Sequence, residues 1–158
     1  MTKAAELFND CRPMTTTPKL ARSLRPTLDT PFHIDYEWWN KGDRDLRVYL
    51  RSHLCAEHRA QLADLTADGD MIDWVDPQTA EIKRRDGLVQ LMNTHCARQP
   101  DYITEHTSIV DAAFRVFLIN DNSPLTPRQL AERIDRDADT ILRTIGGKQV
   151  YQGLKPVP

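Results

Sequence analysis

Cysteine is scarce in this 158-residue chain: Cys11, Cys55 and Cys96 are the only three. An odd and small set does not build the disulfide framework of a secreted domain, so these are read as reduced thiols, buried or metal-bound. Glycine is sparse too, with six in the chain, and the one adjacent pair, Gly146-Gly147, closes a helical stretch where a phosphate-cradling loop would open one. Long apolar runs are missing. The longest, Val116 to Ile119, falls far short of the roughly 20 residues a membrane span requires. Charge of one sign is missing too: 21 Lys+Arg stand against 23 Asp+Glu, a formal charge of -2. No global basic field is present to hold nucleic acid non-specifically. Met1 to Arg12 carries Lys3, Glu6 and Asp10 where a secretory leader would be apolar. The expectation is a soluble, cytoplasmic protein with no membrane partner.

What is present divides the chain into three. Residues 1–31, interrupted by Pro13, Pro18, Pro26 and Pro31, read as an extended, partly flexible tail. Residues 32–106 form an acidic α+β segment and residues 107–158 a helical domain. The charge balances of the three are +2, -5 and +1. Phe32, Ile34, Tyr36 and Trp38 alternate with polar residues, the period of a half-buried strand. Leu46, Leu50, Leu54 and Leu62 share one face of a helix expected over 46–62, ended within Asp64 to Asp70. Met71 to Val75 and Ala80 to Arg85 read as a hairpin about Asp76-Pro77-Gln78-Thr79. Asp86 then caps a helix that runs to about Arg98.

The carboxyl-terminal segment has the clearest punctuation. Thr107 or Ser108 caps a helix whose apolar stripe, Val110 to Leu118, is wide enough to be central to a core. Thr126-Pro127-Arg128-Gln129 combines an N-cap, a first-turn proline and a capping-box glutamine. Asp137 or Asp139 starts a third helix with Ile141, Leu142 and Ile145 inward, stopped by Gly146-Gly147. A short strand is expected at Gln149-Val150-Tyr151.

The words Pro124-Leu125-Thr126-Pro127-Arg128-Gln129-Leu130-Ala131-Glu132-Arg133-Ile134 and Thr140-Ile141-Leu142-Arg143-Thr144-Ile145 carry a resemblance. They are similar to the helical element of winged helix-turn-helix domains, including the HARE-type domain of the RNA polymerase delta subunit. The resemblance covers Ile109 to Val157, about a third of the chain. It implies a transcription-associated module binding DNA or a transcription component. In such domains the third helix enters the major groove. Its outward candidates here are Thr140, Arg143, Thr144 and Lys148, with Arg128 and Arg136 placed for flanking phosphates. The acidic neighbours Asp135, Asp137 and Asp139 weigh the other way. They leave open an alternative in which the winged helix is a protein–protein docking or scaffold surface.

The second constellation is His53-Leu54-Cys55-Ala56-Glu57-His58 with His95-Cys96. Cys55 and His58 lie one helical turn apart. Together with His95 and Cys96 they can close a structural Cys2His2 zinc site, soft sulfur and borderline nitrogen suiting that ion. His95 is the hardest to place, because adjacent residues on a regular helix point about 100° apart. The helix must therefore end there, as Gln99-Pro100 allows. The competing reading buries Cys55 and Cys96 as small hydrophobes and leaves both histidines exposed. No Gly-rich or oxyanion-type loop accompanies Cys55, so an enzyme is not expected. Among the aromatics, Phe32, Tyr36, Trp38 and Trp74 are assigned to packing and Trp39 to the surface. The fold expected is α+β and mainly helical, a small β-hairpin with helices followed by a winged helix-turn-helix.

Overall fold

The computed structural model describes residues 25–61 and 71–158. The expectations for residues 1–24, Cys11 among them, and for Leu62 and the stop at Asp64 to Asp70 lie outside the described residues. The architecture is α+β and mainly helical, as the periodicities predict. In chain order the elements are β1 (Phe32–Ile34), α1 (Tyr36–Asn40), α2 (Leu46–Ser52), α3 (Ala56–Gln61), β2 (Met71–Val75), β3 (Ile82–Asp86) and α4 (Gly87–Thr94). A 3-10 turn (Cys96–Arg98) follows, then α5 (Ile109–Ile119), α6 (Pro127–Ile134), α7 (Ala138–Ile145) and β4 (Leu154–Pro156). β1 pairs with β4 and β2 with β3, both antiparallel.

Helix α5 is the axis of the molecule. Six of its residues, Ala112, Ala113, Phe114, Val116, Phe117 and Leu118, are buried. A helix apolar on most of its circumference needs neighbours all round. They are α6 and α7 through Leu130, Ile134, Ile141 and Ile145, and β1 and β4 through Phe32, Ile34 and Leu154. Leu50, Leu54, Met92 and Cys96, from the acidic segment, join the same hydrophobic cluster. One core therefore spans both segments. The expected caps form: Ser108 accepts from Asp111 N, Asp137 from Thr140 N, and Thr126 with Gln129 makes the reciprocal capping box.

Four local expectations are corrected. The alternation starting at Phe32 yields only three strand residues, because the Asp35 carboxylate accepts the Glu37 N–H and starts α1. Trp39, expected outside, is buried: it stacks on Tyr49 with centroids 5.0 Å apart and its indole N–H donates to Gln152 O at 3.2 Å. The single helix over 46–62 is two, α2 and α3, broken at His53-Leu54-Cys55 because Leu54 turns into the core. The strand expected at 149–151 lies instead at 154–156. Gln152 (φ +53°) and Gly153 (φ +76°) swing the chain so that Leu154 meets Ile34. Gly153 has no room for a side chain, since a Cβ there would sit 2.8 Å from Asp35 O.

β1 is satisfied on both edges. On one side it pairs with β4; on the other Phe32 exchanges backbone hydrogen bonds with Leu125 at 2.8 and 3.1 Å. Asn122 completes that second edge with its side chain, accepting from Ile34 N (2.8 Å) and donating to Ile34 O (2.9 Å).

Candidate metal centre and the surface of the last helix

The break after α2 builds half of a ligand cluster. Carbonyls at a helix end lack intrahelical partners. Here Arg59 Nη2 donates to both Ser52 O and Leu54 O at 3.0 Å, tying α3 back across the gap. Cys55 stands just before α3, its carbonyl accepting from Arg59 N at 2.9 Å, and His58 follows one turn on. The other half comes from the end of α4. His95 leaves helical geometry (φ -127°, ψ -62°), so its ring and the Cys96 thiol converge where a continuous helix would splay them. The helix end that the sequence required at this point is present, α4 stopping at Thr94, four residues earlier than Arg98.

The four ligand atoms, one from each of Cys55, His58, His95 and Cys96, lie within 4.8 Å of one another. Cys55 Sγ is 3.1 Å from His58 Nδ1, 3.8 Å from His95 Nδ1 and 3.4 Å from Cys96 Sγ. Cys96 Sγ is 3.5 Å from His58 Nδ1. A tetrahedron with Zn–S of about 2.3 Å and Zn–N of about 2.0–2.1 Å has S···S edges of about 3.8 Å and S···N edges of about 3.5 Å. These four edges match that figure to within a few tenths of an ångström, and all the ligand atoms lie within 4.8 Å, so the four residues form a cluster compatible with a metal site. Further contacts orient it. The Cys55 N–H points at Cys96 Sγ at 3.4 Å, and His95 Nε2 faces Glu57 Oε2 at 3.9 Å. Outer-shell groups of these kinds fix ligand orientation. Burial pushes the Cys96 thiol above its ordinary pKa, against the lowering effect of that N–H; a coordinated cation reverses the balance.

Beside the cluster runs a polar network that the sequence reading missed. His53, which opens the Cys/His stretch, is buried. Its Nδ1 accepts from Arg115 Nε at 2.9 Å. Burial, reinforced by the Arg115 charge, pulls its pKa down to about 4, so the imidazole is neutral. Arg115 also donates to Tyr102 O, and Tyr49 OH donates to Asp111 Oδ1 at 2.6 Å. The available signal was Arg115 itself, a lone cation inside the apolar run of α5.

The residues proposed to meet nucleic acid fare unequally. Arg143 and Lys148 are exposed. Arg128 is exposed but paired with Asp29 at 3.0 Å. Arg136 is committed to the carbonyls of Thr104, Glu105 and Thr107, holding the loop before α5. Thr144 Oγ1 donates to Thr140 O, and Thr140 Oγ1 to the capping Asp137 carboxylate. Arg143 Nη2 rests 3.3 Å from Thr140 Oγ1. Past the C-terminal end of α7 a groove of 820 Å³ is lined by Arg25, Leu142, Lys148 and Lys155 among others; among the described residues no carboxylate side chain lines it, and Lys155 is paired with Asp35 at 2.7 Å. Comparison with protein-family models, with curated proteins and with solved structures finds no match to this chain. Among the described residues no helix is long and apolar enough to cross a membrane.

Proposed function

We propose that this chain is a non-enzymatic, transcription-associated DNA-binding module, a winged helix whose neighbouring segment is held by a structural zinc ion. What carries the DNA reading is the C-terminal half of α7. It presents exposed Arg143, with Lys148 just beyond, next to the groove that Arg25 and Lys155 also line. The N-terminal turn of α7 is acidic, with Asp137 as its cap and Asp139 in its first turn. Phosphate is repelled there and accepted at the other end, so the duplex lies against the Arg143–Lys148 side. Arg136, tied to carbonyls, acts as structure in this reading, and Arg128 reaches phosphate by exchanging Asp29 for it.

The zinc reading rests on the Cys2His2 donor set and on α3. No residue of α3 is buried. A six-residue helix does not persist in water on backbone hydrogen bonds alone. Ligation by Cys55 and His58 supplies the missing anchor. Four protein ligands leave no open position, as in structural sites.

Fluorescence anisotropy against labelled duplex over a salt series tests the first reading. Affinity falls with salt, and each of Arg143→Ala and Lys148→Ala makes the log–log slope shallower by about 0.9, the share of one phosphate no longer neutralised. No binding at low salt refutes it. Elemental analysis tests the second: about one zinc per purified chain, and a lowered melting temperature for Cys55→Ser. A protein partner is favoured by one observation, the exposed apolar residues Met71, Val75 and Ile82 on the hairpin. A stoichiometric pull-down that hairpin substitution abolishes would replace the DNA reading with that one.

A further inference from the structure

The two sulfurs of the cluster are unequally reached from outside. Cys96 is 1% exposed, whereas Cys55 is half-buried; both form part of the wall of a 260 Å³ cavity. The same wall carries Arg59 and Arg115, with Asp101 as its carboxylate. The sulfurs are 3.4 Å apart, and Cys55 stands at the break between α2 and α3 rather than inside a helix. Closing to a disulfide of about 2.05 Å therefore takes about 1.4 Å of approach, within reach of side-chain rotation at a helix break.

We propose that Cys55 and Cys96 form a hydroperoxide-reactive pair, Cys55 the sulfur attacked first and Cys96 the one that resolves it, so that oxidation discharges the metal. The discharge rests on the zinc reading above; the oxidation does not. The oxidant is hydrogen peroxide or a small organic hydroperoxide entering the cavity. The Cys55 thiolate attacks one peroxide oxygen: an S–O bond forms, the O–O bond breaks, and hydroxide or alkoxide leaves with the electron pair. The Cys96 thiolate then attacks the Cys55 sulfur. The S–S bond forms as the S–O bond breaks and a second hydroxide leaves. Two thiolates have lost two electrons in all, and the peroxide has gained them. Arg59 and Arg115, on the same cavity wall, place positive charge where the departing anion forms. A disulfide binds zinc poorly, and His58 with His95 supply only half of a tetrahedral site.

The test uses the full chain carrying Cys11→Ser, which leaves only the two thiols in question. Its zinc is measured first. Hydrogen peroxide is then added, released zinc is followed with a colorimetric chelator, and the products are mapped by mass spectrometry. The expected result is about one equivalent of zinc released per chain, in step with a peptide linking Cys55 to Cys96 that has lost two hydrogens. A dithiol reductant with added zinc restores the starting state. In Cys96→Ser the reaction stops at a sulfenic acid on Cys55 that dimedone captures. Thiols and zinc unchanged at peroxide levels that fully oxidise glutathione overturn the proposal, and so does sulfonic acid without a cross-link. Dimedone capture on Cys96 ahead of Cys55 overturns the order. A cross-link forming in a chain that carries no zinc upholds the oxidation and refutes the metal reading alone.

Discussion

The α5–α7 region and the α2–α4 region are held in contrasting ways. In the first, an eleven-residue helix with six buried side chains meets two eight-residue helices, each ended by its own capping residues. In the second, α2, α3 and α4 run seven, six and eight residues and bury one, none and two. Apolar burial sustains the first region. The second leans on Leu50, Leu54, Met92 and Cys96 reaching the shared core, and on polar ties such as Arg59 to the α2 carbonyls. Short helices that bury little need cross-links, and the Cys/His cluster sits where burial is poorest.

Removing the shared support is the strongest way to break the contrast. Phe114 is fully buried and touches Trp39, Tyr49 and His53 as well as its own domain. Phe114→Ala is expected to cost about 3–5 kcal/mol in denaturant unfolding, with both regions lost in one transition. Two separated transitions would show that the core does not couple them.

Metal removal sharpens the contrast in the opposite sense. After chelation, hydrogen exchange is expected to accelerate across residues 56–61 and around His95, while amides of α5 stay protected. Equal protection before and after chelation of a zinc-loaded sample would show that α3 is held by something else.

The Asn122 clamp is an intermediate case. Asn122→Ala removes two hydrogen bonds and leaves both backbone groups of Ile34 without a partner, an expected loss of about 2 kcal/mol. The deficit is expected in equilibrium unfolding without any change in zinc content.

The smallest effect is at the β1–β4 margin. Lys155 Nζ donates to Asp35 Oδ2 at 2.7 Å, and this hydrogen bond is the leading cause that holds the Asp35 carboxyl below its usual range. A depressed carboxylate contributes stability above its unfolded pKa and loses it as pH falls through the folded one. Lys155→Ala should thus cost under about 1 kcal/mol at neutral pH. The difference from the unsubstituted chain should vanish in acid, below the ordinary carboxylate range.

Much of this molecule was legible locally. Asp86, Ser108, the Thr126–Gln129 box and Asp137 each start the helix their residue type announces, and the Asp76-Pro77 turn closes the expected hairpin. Each depends on groups within four residues, so the chain itself supplies both partners. The four cluster residues could also be named from the sequence, since thiols and imidazoles are rare enough to stand out. What the sequence could not supply was any event whose partner lies far along the chain. Leu54 leaves the helix because α5 offers it a core; Trp39 turns inward because Gln152 and Tyr49 receive it; β1 exists because Leu154 and Asn122 satisfy its edges. Arg136, free by its position, is claimed by carbonyls of a loop that only folding brings near. Local hydrogen bonding is encoded by neighbours; burial and edge pairing are decided by whichever distant surface arrives, and that is a property of the assembled core.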